Sequence, residues 1–166
     1  LQQNGFAVQL VDYGRKSPAG PFDPQDTDTY ILKELISSVR RAHILTRFKN
    51  IAVTQADVVG HSLGGLVARA VTVFNDTEDQ YKAKKNYNKG SFHKIITVGT
   101  PHLGTQIADF LIKNKCEQLF TISLESFFNN NLGRPIGSAI FGFQTTSPDL
   151  QHLGVTNILS HTIVGL

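Results

Sequence analysis

Apolar positions along the chain fall into two rhythms. Phe6 to Tyr13 is a run with a β-rich apolar core, read as a strand, and Gly14 to Pro24 is a loop rich in Gly, Pro and Ser. The spacing then changes to steps of three and four. Ile31, Leu35, Val39 and then Ala42 or His43 would share one helix face, with Arg40, Arg41, Arg47 and Lys49 turned outward. Asp26 or Asp28 stands where a cap is needed, for a helix beginning near Tyr30. A short apolar strand follows at Ala56-Asp57-Val58-Val59, and a second helical rhythm at Leu63, Leu66, Val67, Ala70, Val71 and Phe74. Residues 75–89 are polar and lysine-rich and read as a surface excursion. Lys94 to Gly99 is a third strand, Thr100 to Thr105 a turn-rich loop, and residues 158–165 a fourth strand.

Strands alternating with helices imply a parallel sheet with helices on both faces. The expected architecture is therefore α/β, a doubly wound and mostly parallel sheet in a three-layer α/β/α sandwich. Ligands of such sheets sit beyond the carboxyl ends of the strands. Two segments converge there, the junction at Gly60–Gly64 and the loop Thr100–Thr105.

The junction reads Val58-Val59-Gly60-His61-Ser62-Leu63-Gly64-Gly65, a G-x-S-x-G pentapeptide between a strand and a helix. A serine that attacks a carbonyl must project its oxygen away from the backbone. Ending a buried strand, placing the serine on a sharp turn and starting a helix at once achieves this. Strand and helix then pass very close together, so glycine is wanted two residues before and two after the serine, where Gly60 and Gly64 stand. The outgoing helix aims its N-terminus at the reaction centre, where free N–H groups favour an oxyanion, and the backbone N–H of Leu63 is the expected donor. Gly-rich turns of this kind also bind phosphates, but the Lys-Ser/Thr ending of a phosphate loop is absent and the pattern is not G-x-G-x-x-G. A merely structural turn is the other reading.

Composition narrows the class without selecting a chemistry. The 166 residues, 40% hydrophobic and 17% charged, suit one domain with a real core, and residues 1–166 are read as a single unit. No apolar run approaches the roughly 18–20 residues of a membrane span, so a soluble chain of open compartment is expected. The single Cys116 forms no internal disulfide and suggests no metal cluster, and reads as a packing residue. The net charge of +3 owes much to Lys82, Lys84, Lys85, Lys89 and Lys94. No nucleic-acid motif accompanies them, and a solvated loop is the expectation. Asn75-Asp76-Thr77 matches a glycosylation sequon, informative only in a secreted protein. Leu1 to Gly5 reads as the end of a helix and residues 161–166 as a strand barely formed, so the domain is expected to be incomplete at both ends.

Taken together, residues 55–69 (Gln-Ala-Asp-Val-Val-Gly-His-Ser-Leu-Gly-Gly-Leu-Val-Ala-Arg) and 96–105 (Ile-Thr-Val-Gly-Thr-Pro-His-Leu-Gly-Thr) resemble the lipase and esterase branch of the α/β-hydrolases. The pattern is most similar to GPI inositol-deacylase-like and triacylglycerol-lipase-like members. Ser147-Pro148, Leu150 and Leu153 resemble a segment these lipases carry before their next strand. The resemblance implies a Ser–acid–His triad in that chain order, with Ser62 as nucleophile. It places the acid just past Leu166, the histidine further on, and the second oxyanion donor before Leu1. Residues 1–166 alone are then expected to be inactive. The implied activity is cleavage of carboxylic esters of lipid or acyl type through an acyl-enzyme on Ser62. An acyltransferase of the same fold and a non-catalytic module of that fold are the alternatives.

The other candidate residues weigh less. His61 belongs to the elbow with Gly60 and Gly64 and is expected to pack beside it rather than act as base. His102 is expected to fix its loop by hydrogen bonds, with service as a base the lesser reading. His152, His161, His43 and His93, and the acids Asp109 and Asp149, are weaker candidates still. Residues 106–146, with Phe110, Phe120, Leu124, Phe127, Phe128, Phe141 and Phe143, would form a lid or acyl groove, or ordinary core packing. No metal or organic cofactor is implied. The expected partner is a small-molecule or lipid ester, with transient membrane-surface contact allowed and neither nucleic acid nor an obligate protein partner inferred.

Overall fold

A computed structural model describes residues 2–12, 30–74, 81–113 and 141–164. Among these residues three strands, β1 (Ala56–His61), β2 (Phe92–Val98) and β3 (Leu159–Ile163), form a parallel sheet in the order β1-β2-β3. Among the described residues four helices accompany them: α1 (Tyr30–Phe48), α2 (Leu63–Phe74), α3 (Gln106–Lys113) and α4 (Pro148–His152). The fold is thus α/β with a parallel sheet and flanking helices. Successive right-handed crossovers that advance the same way across a sheet put their helices on one face. Accordingly α2 rides over β1 and β2, α1 packs against α2, and Leu150 and Leu153 join the same core.

That core explains the helical rhythm. On α1 the buried apolar positions are Ile31, Leu32, Leu35, Ile36 and Val39; Arg41 and Arg47 are exposed, as is Lys49 just past the helix, whereas Arg40, also expected to turn outward, is partly buried. On α2 they are Leu66, Val67, Ala68, Ala70 and Val71. Beneath them lie Phe92 and Ile95 of β2. Burying each large side chain contributes about 1.5–3 kcal/mol, so this face supplies most of the stabilisation. The opposite face carries Val59, His61, Leu159 and Ile163, all exposed among the described residues.

Helix α1 ends by a device absent from the sequence reading. Asn50 adopts φ +56°, Ile51 N–H donates to the Thr46 carbonyl at 3.0 Å and Asn50 N–H to that of Arg47 at 2.9 Å. This is a Schellman closure with asparagine in the left-handed position.

Residues 6–12 correct the first strand expected at Phe6–Tyr13. They form no strand, and Phe6, Val8 and Leu10 are exposed. A β-rich sequence becomes a strand only beside a neighbour that takes its backbone hydrogen bonds, and none pairs with it among the described residues. The other strands hold with shifted ends. β1 runs on to His61, β2 begins earlier at Phe92, and β3 is shorter than residues 158–165.

The lysine-rich excursion is anchored more firmly than expected. Tyr81 is buried edge-on against Phe92, with ring centroids 5.3 Å apart. The Asn86 amide donates to the Tyr81 carbonyl at 2.8 Å, and the Ser91 hydroxyl to the same oxygen at 3.0 Å. Burial pushes the Tyr81 phenol up to about 12. Lys82, Lys84, Lys85 and Lys89 remain in solvent, and Lys94 lies 3.6 Å from Asp57. The candidate caps Asp26 and Asp28, the sequon at Asn75, Cys116, Phe120, Leu124, Phe127 and Phe128 fall outside the described residues. No helix among the described residues is long and apolar enough to cross a membrane.

Two outcomes follow for stability. Leu66 is fully buried, so Leu66→Ala should lower the unfolding free energy by about 2–5 kcal/mol in urea titration. His43, half-buried near Lys85 and Arg47, is held below its ordinary value of 6.5, chiefly by burial and secondly by those cations. The unfolded chain therefore takes up a proton that the fold resists. Stability should be full above pH 6.5 and fall as pH drops below it, levelling once the lowered folded value is passed. Urea midpoints at about pH 7.5 and about pH 5.5 should differ less in His43→Gln than in the parent chain.

Candidate active site

Ser62 stands between the last residue of β1 and the first of α2, and its backbone adopts φ +51°. A non-glycine residue in this region costs about 1–2 kcal/mol. Two of the other three such residues are asparagines, which tolerate the conformation, and the third, Tyr87, closes a short 3-10 turn. Ser62 is held there by its neighbours. Its N–H donates to the Val98 carbonyl at 3.0 Å, extending the β1–β2 ladder one residue past the strand. Its carbonyl accepts the N–H of Gly65 at 3.2 Å and the hydroxyl of Thr100 at 2.9 Å.

The glycines are required by contact distance. A Cβ on Gly60 would lie 2.6 Å from the carbonyl carbon of Gly64 and from the Gly65 nitrogen, both backbone atoms that cannot swing aside. Sequence reasoning anticipated this collision but missed a second. A Cβ on Gly65 would fall 2.7 Å from Cγ2 and 2.9 Å from Cβ of Thr100. The doubled glycine Gly64-Gly65 was the signal for it. Leu63 opens α2, so its N–H is among the four that a helix cannot satisfy internally. Its side chain packs against the core.

The loop after β2 is braced from three sides. His102 Nε2 is hydrogen-bonded to Thr97 Oγ1 at 3.1 Å, and His102 N–H donates to the Thr100 carbonyl at 2.9 Å. Arg69 of α2 donates through Nη1 to the His102 carbonyl at 3.3 Å and through Nε to that of Gly154 at 2.8 Å; its Nη2 also reaches Gly154. Thr105 N–H donates to the Phe143 carbonyl at 2.8 Å. Burial, and then the charge of Arg69, hold the His102 imidazole below its ordinary value. These contacts match the loop-fixing role expected of His102. Arg69 and Thr97 were not singled out from the sequence.

The remaining candidates are dispersed. His61, expected to pack beside the elbow, is exposed, because β1 turns it onto the sheet face that no described helix covers. His93 pairs with Asp57 at 2.8 Å on the surface. His152 and His161 are exposed, and Asp149 lies in the first turn of α4. Asp109 accepts the N–H of Thr145 at 3.1 Å and its hydroxyl at 2.7 Å, binding α3 to that turn. Among the described residues no histidine hydrogen-bonds the Ser62 hydroxyl. No group of three or more His, Cys, Asp or Glu among them could hold a metal ion.

A cavity of about 210 Å³ lies over β2 and β3, with Gly65, Arg69, Thr97, His102, Ser160 and Thr162 in its wall. Ser62 does not line it, so it is not an acyl pocket for that hydroxyl.

Comparison with known proteins agrees with the architecture. Residues 26–140, more than half of the chain, match the family described as PGAP1-like alpha/beta domain. A lipase of Bacillus licheniformis, BlEst2, is similar in its mature form at 19% identity and a TM-score of 0.48, over 86% of this chain and 48% of that one. Its propeptide form is similar at 17% identity and a TM-score of 0.45, over 87% of this chain and 26% of that one. The chain thus spans about half the length of the mature lipase. No curated protein matches the sequence. By the match over residues 26–140, the chain belongs to the PGAP1-like alpha/beta domain family.

Proposed function

We propose that the intact protein is a serine ester hydrolase that forms an acyl-enzyme on Ser62. The observation that carries this reading is the left-handed backbone of Ser62 at a strand-to-helix junction too tight for any side chain at position 60. Strain of this kind persists at functional residues when the surroundings enforce it. The Ser62 oxygen attacks the acyl carbonyl as a histidine base takes its proton, and the charge on the tetrahedral oxygen is received by the Leu63 N–H. Collapse expels the alcohol, which takes the proton from that histidine. Water then repeats the sequence on the acyl-enzyme and frees the acid.

None of the histidines that the structure describes is hydrogen-bonded to the Ser62 hydroxyl. The base and its acid are therefore assigned to the positions implied by the family resemblance, beyond Leu166, and the second oxyanion donor to one before Leu1. Lipid or acyl esters are the proposed substrates. Leu103, in the loop that follows β2, and Ile107, in the first turn of α3, are exposed and supply apolar surface beyond the carboxyl end of β2.

In the full-length protein a fluorophosphonate probe should label Ser62. Ser62→Ala should abolish the labelling and lower ester hydrolysis on the order of 10⁴-fold or more. Hydrolysis that survives in Ser62→Ala would refute the assignment. Gly60→Ala forces a methyl against the Gly64 backbone, and should destabilise the fold by about 1–3 kcal/mol and slow labelling.

A further inference from the structure

We propose that Thr100 is a positioning residue for catalysis, setting the direction and strength of the Leu63 N–H through the peptide that joins Ser62 to Leu63. The inference rests on the reading of Ser62 as nucleophile and of Leu63 as oxyanion donor. The Ser62 carbonyl and the Leu63 N–H belong to one planar trans peptide and point in opposite directions. Fixing the oxygen therefore fixes the N–H. Two donors hold that oxygen, the Gly65 N–H at 3.2 Å and the shorter Thr100 hydroxyl at 2.9 Å. The first is a short-range bond within the opening turn of α2. The second comes from another element, beyond the end of β2, and ties the elbow to the sheet.

The fit of Thr100 is specific. Its side chain is buried, and it occupies the space that a Cβ on Gly65 would need. Its loop is held in turn by His102 on Thr97 and by Arg69 on the His102 carbonyl, so the hydroxyl is presented from a braced frame. A hydrogen bond accepted by an amide oxygen also polarises the amide and makes its N–H a better donor. Thr100 thus orients the oxyanion donor and strengthens it in one contact, without touching substrate.

The test uses the full-length enzyme with a short-chain aryl ester and a trifluoromethyl ketone that mimics the tetrahedral adduct. Thr100→Val preserves the shape and deletes the hydroxyl; Thr100→Ser keeps the hydroxyl. The valine variant should lose about tenfold in kcat and about tenfold in affinity for the ketone, with KM unchanged, and the serine variant should recover most of both. Gly65→Ala, which displaces the Thr100 side chain, should share the kcat loss and decides the matter if the valine variant does not fold. A valine or Gly65→Ala variant with parental kcat and ketone affinity overturns the proposal. So does a loss that follows the melting temperature and is not restored by serine. Activity surviving in Ser62→Ala would instead refute the nucleophile assignment itself, a separate failure.

Discussion

The approach of β1 to α2 at Gly60 and Gly64 is the constraint from which the rest of the site follows. Backbone atoms there are so close that any side chain at position 60 would collide with main chain. The turn between them has room for one residue of unusual conformation, and Ser62 takes it at φ +51°. The cost of that conformation is small beside the apolar burial that presses α2 onto the sheet through Leu66, Val67 and Val71. The elbow is thus stabilised from outside itself: the packing beneath α2 fixes the distance, and the distance fixes the serine.

Around this contact the structure adds polar braces of different reach. Ser62 N–H extends the ladder to Val98, Thr100 crosses from the next loop to the Ser62 carbonyl, and Arg69 ties α2 to the carbonyls of His102 and Gly154. Each joins segments far apart in the chain, so the elbow, the loop after β2 and the approach to β3 are set relative to one another. The cavity walled by Arg69, Thr97 and Ser160 adjoins this framework, and Ser62 is not among its lining residues.

Much of this was legible in the residues because local rules act on short stretches. The helical faces of α1 and α2, the three strands of the sheet and the glycine spacing of the elbow all rest on periodicity or on steric demands within five residues. What was not legible depends on partners distant in sequence. Phe6 to Leu10 has β-forming residues yet no neighbour to pair with among the described residues. Thr100 and Gly65 stood in plain view within quoted motifs, but their mutual contact joins positions 35 apart and follows only once β2 lies beside β1. His61 depended on which sheet face was covered. The Schellman closure at Asn50 was a local signal that went unread, since asparagine in the left-handed position is less conspicuous than glycine.

The strand order β1-β2-β3 carries a consequence for how the chain folds. Val58 finds Ile95 across a single helical crossover, whereas Ile95 must wait for Ser160, much further along. Loop closure favours the nearer pairing. The β1-α2-β2 unit already contains Gly60, Ser62, Leu63 and the Val98 acceptor, and Thr100 follows directly. The reactive turn therefore lies within the pairing whose loop closure costs least entropy, while the third strand, which carries none of these groups, closes the longer loop.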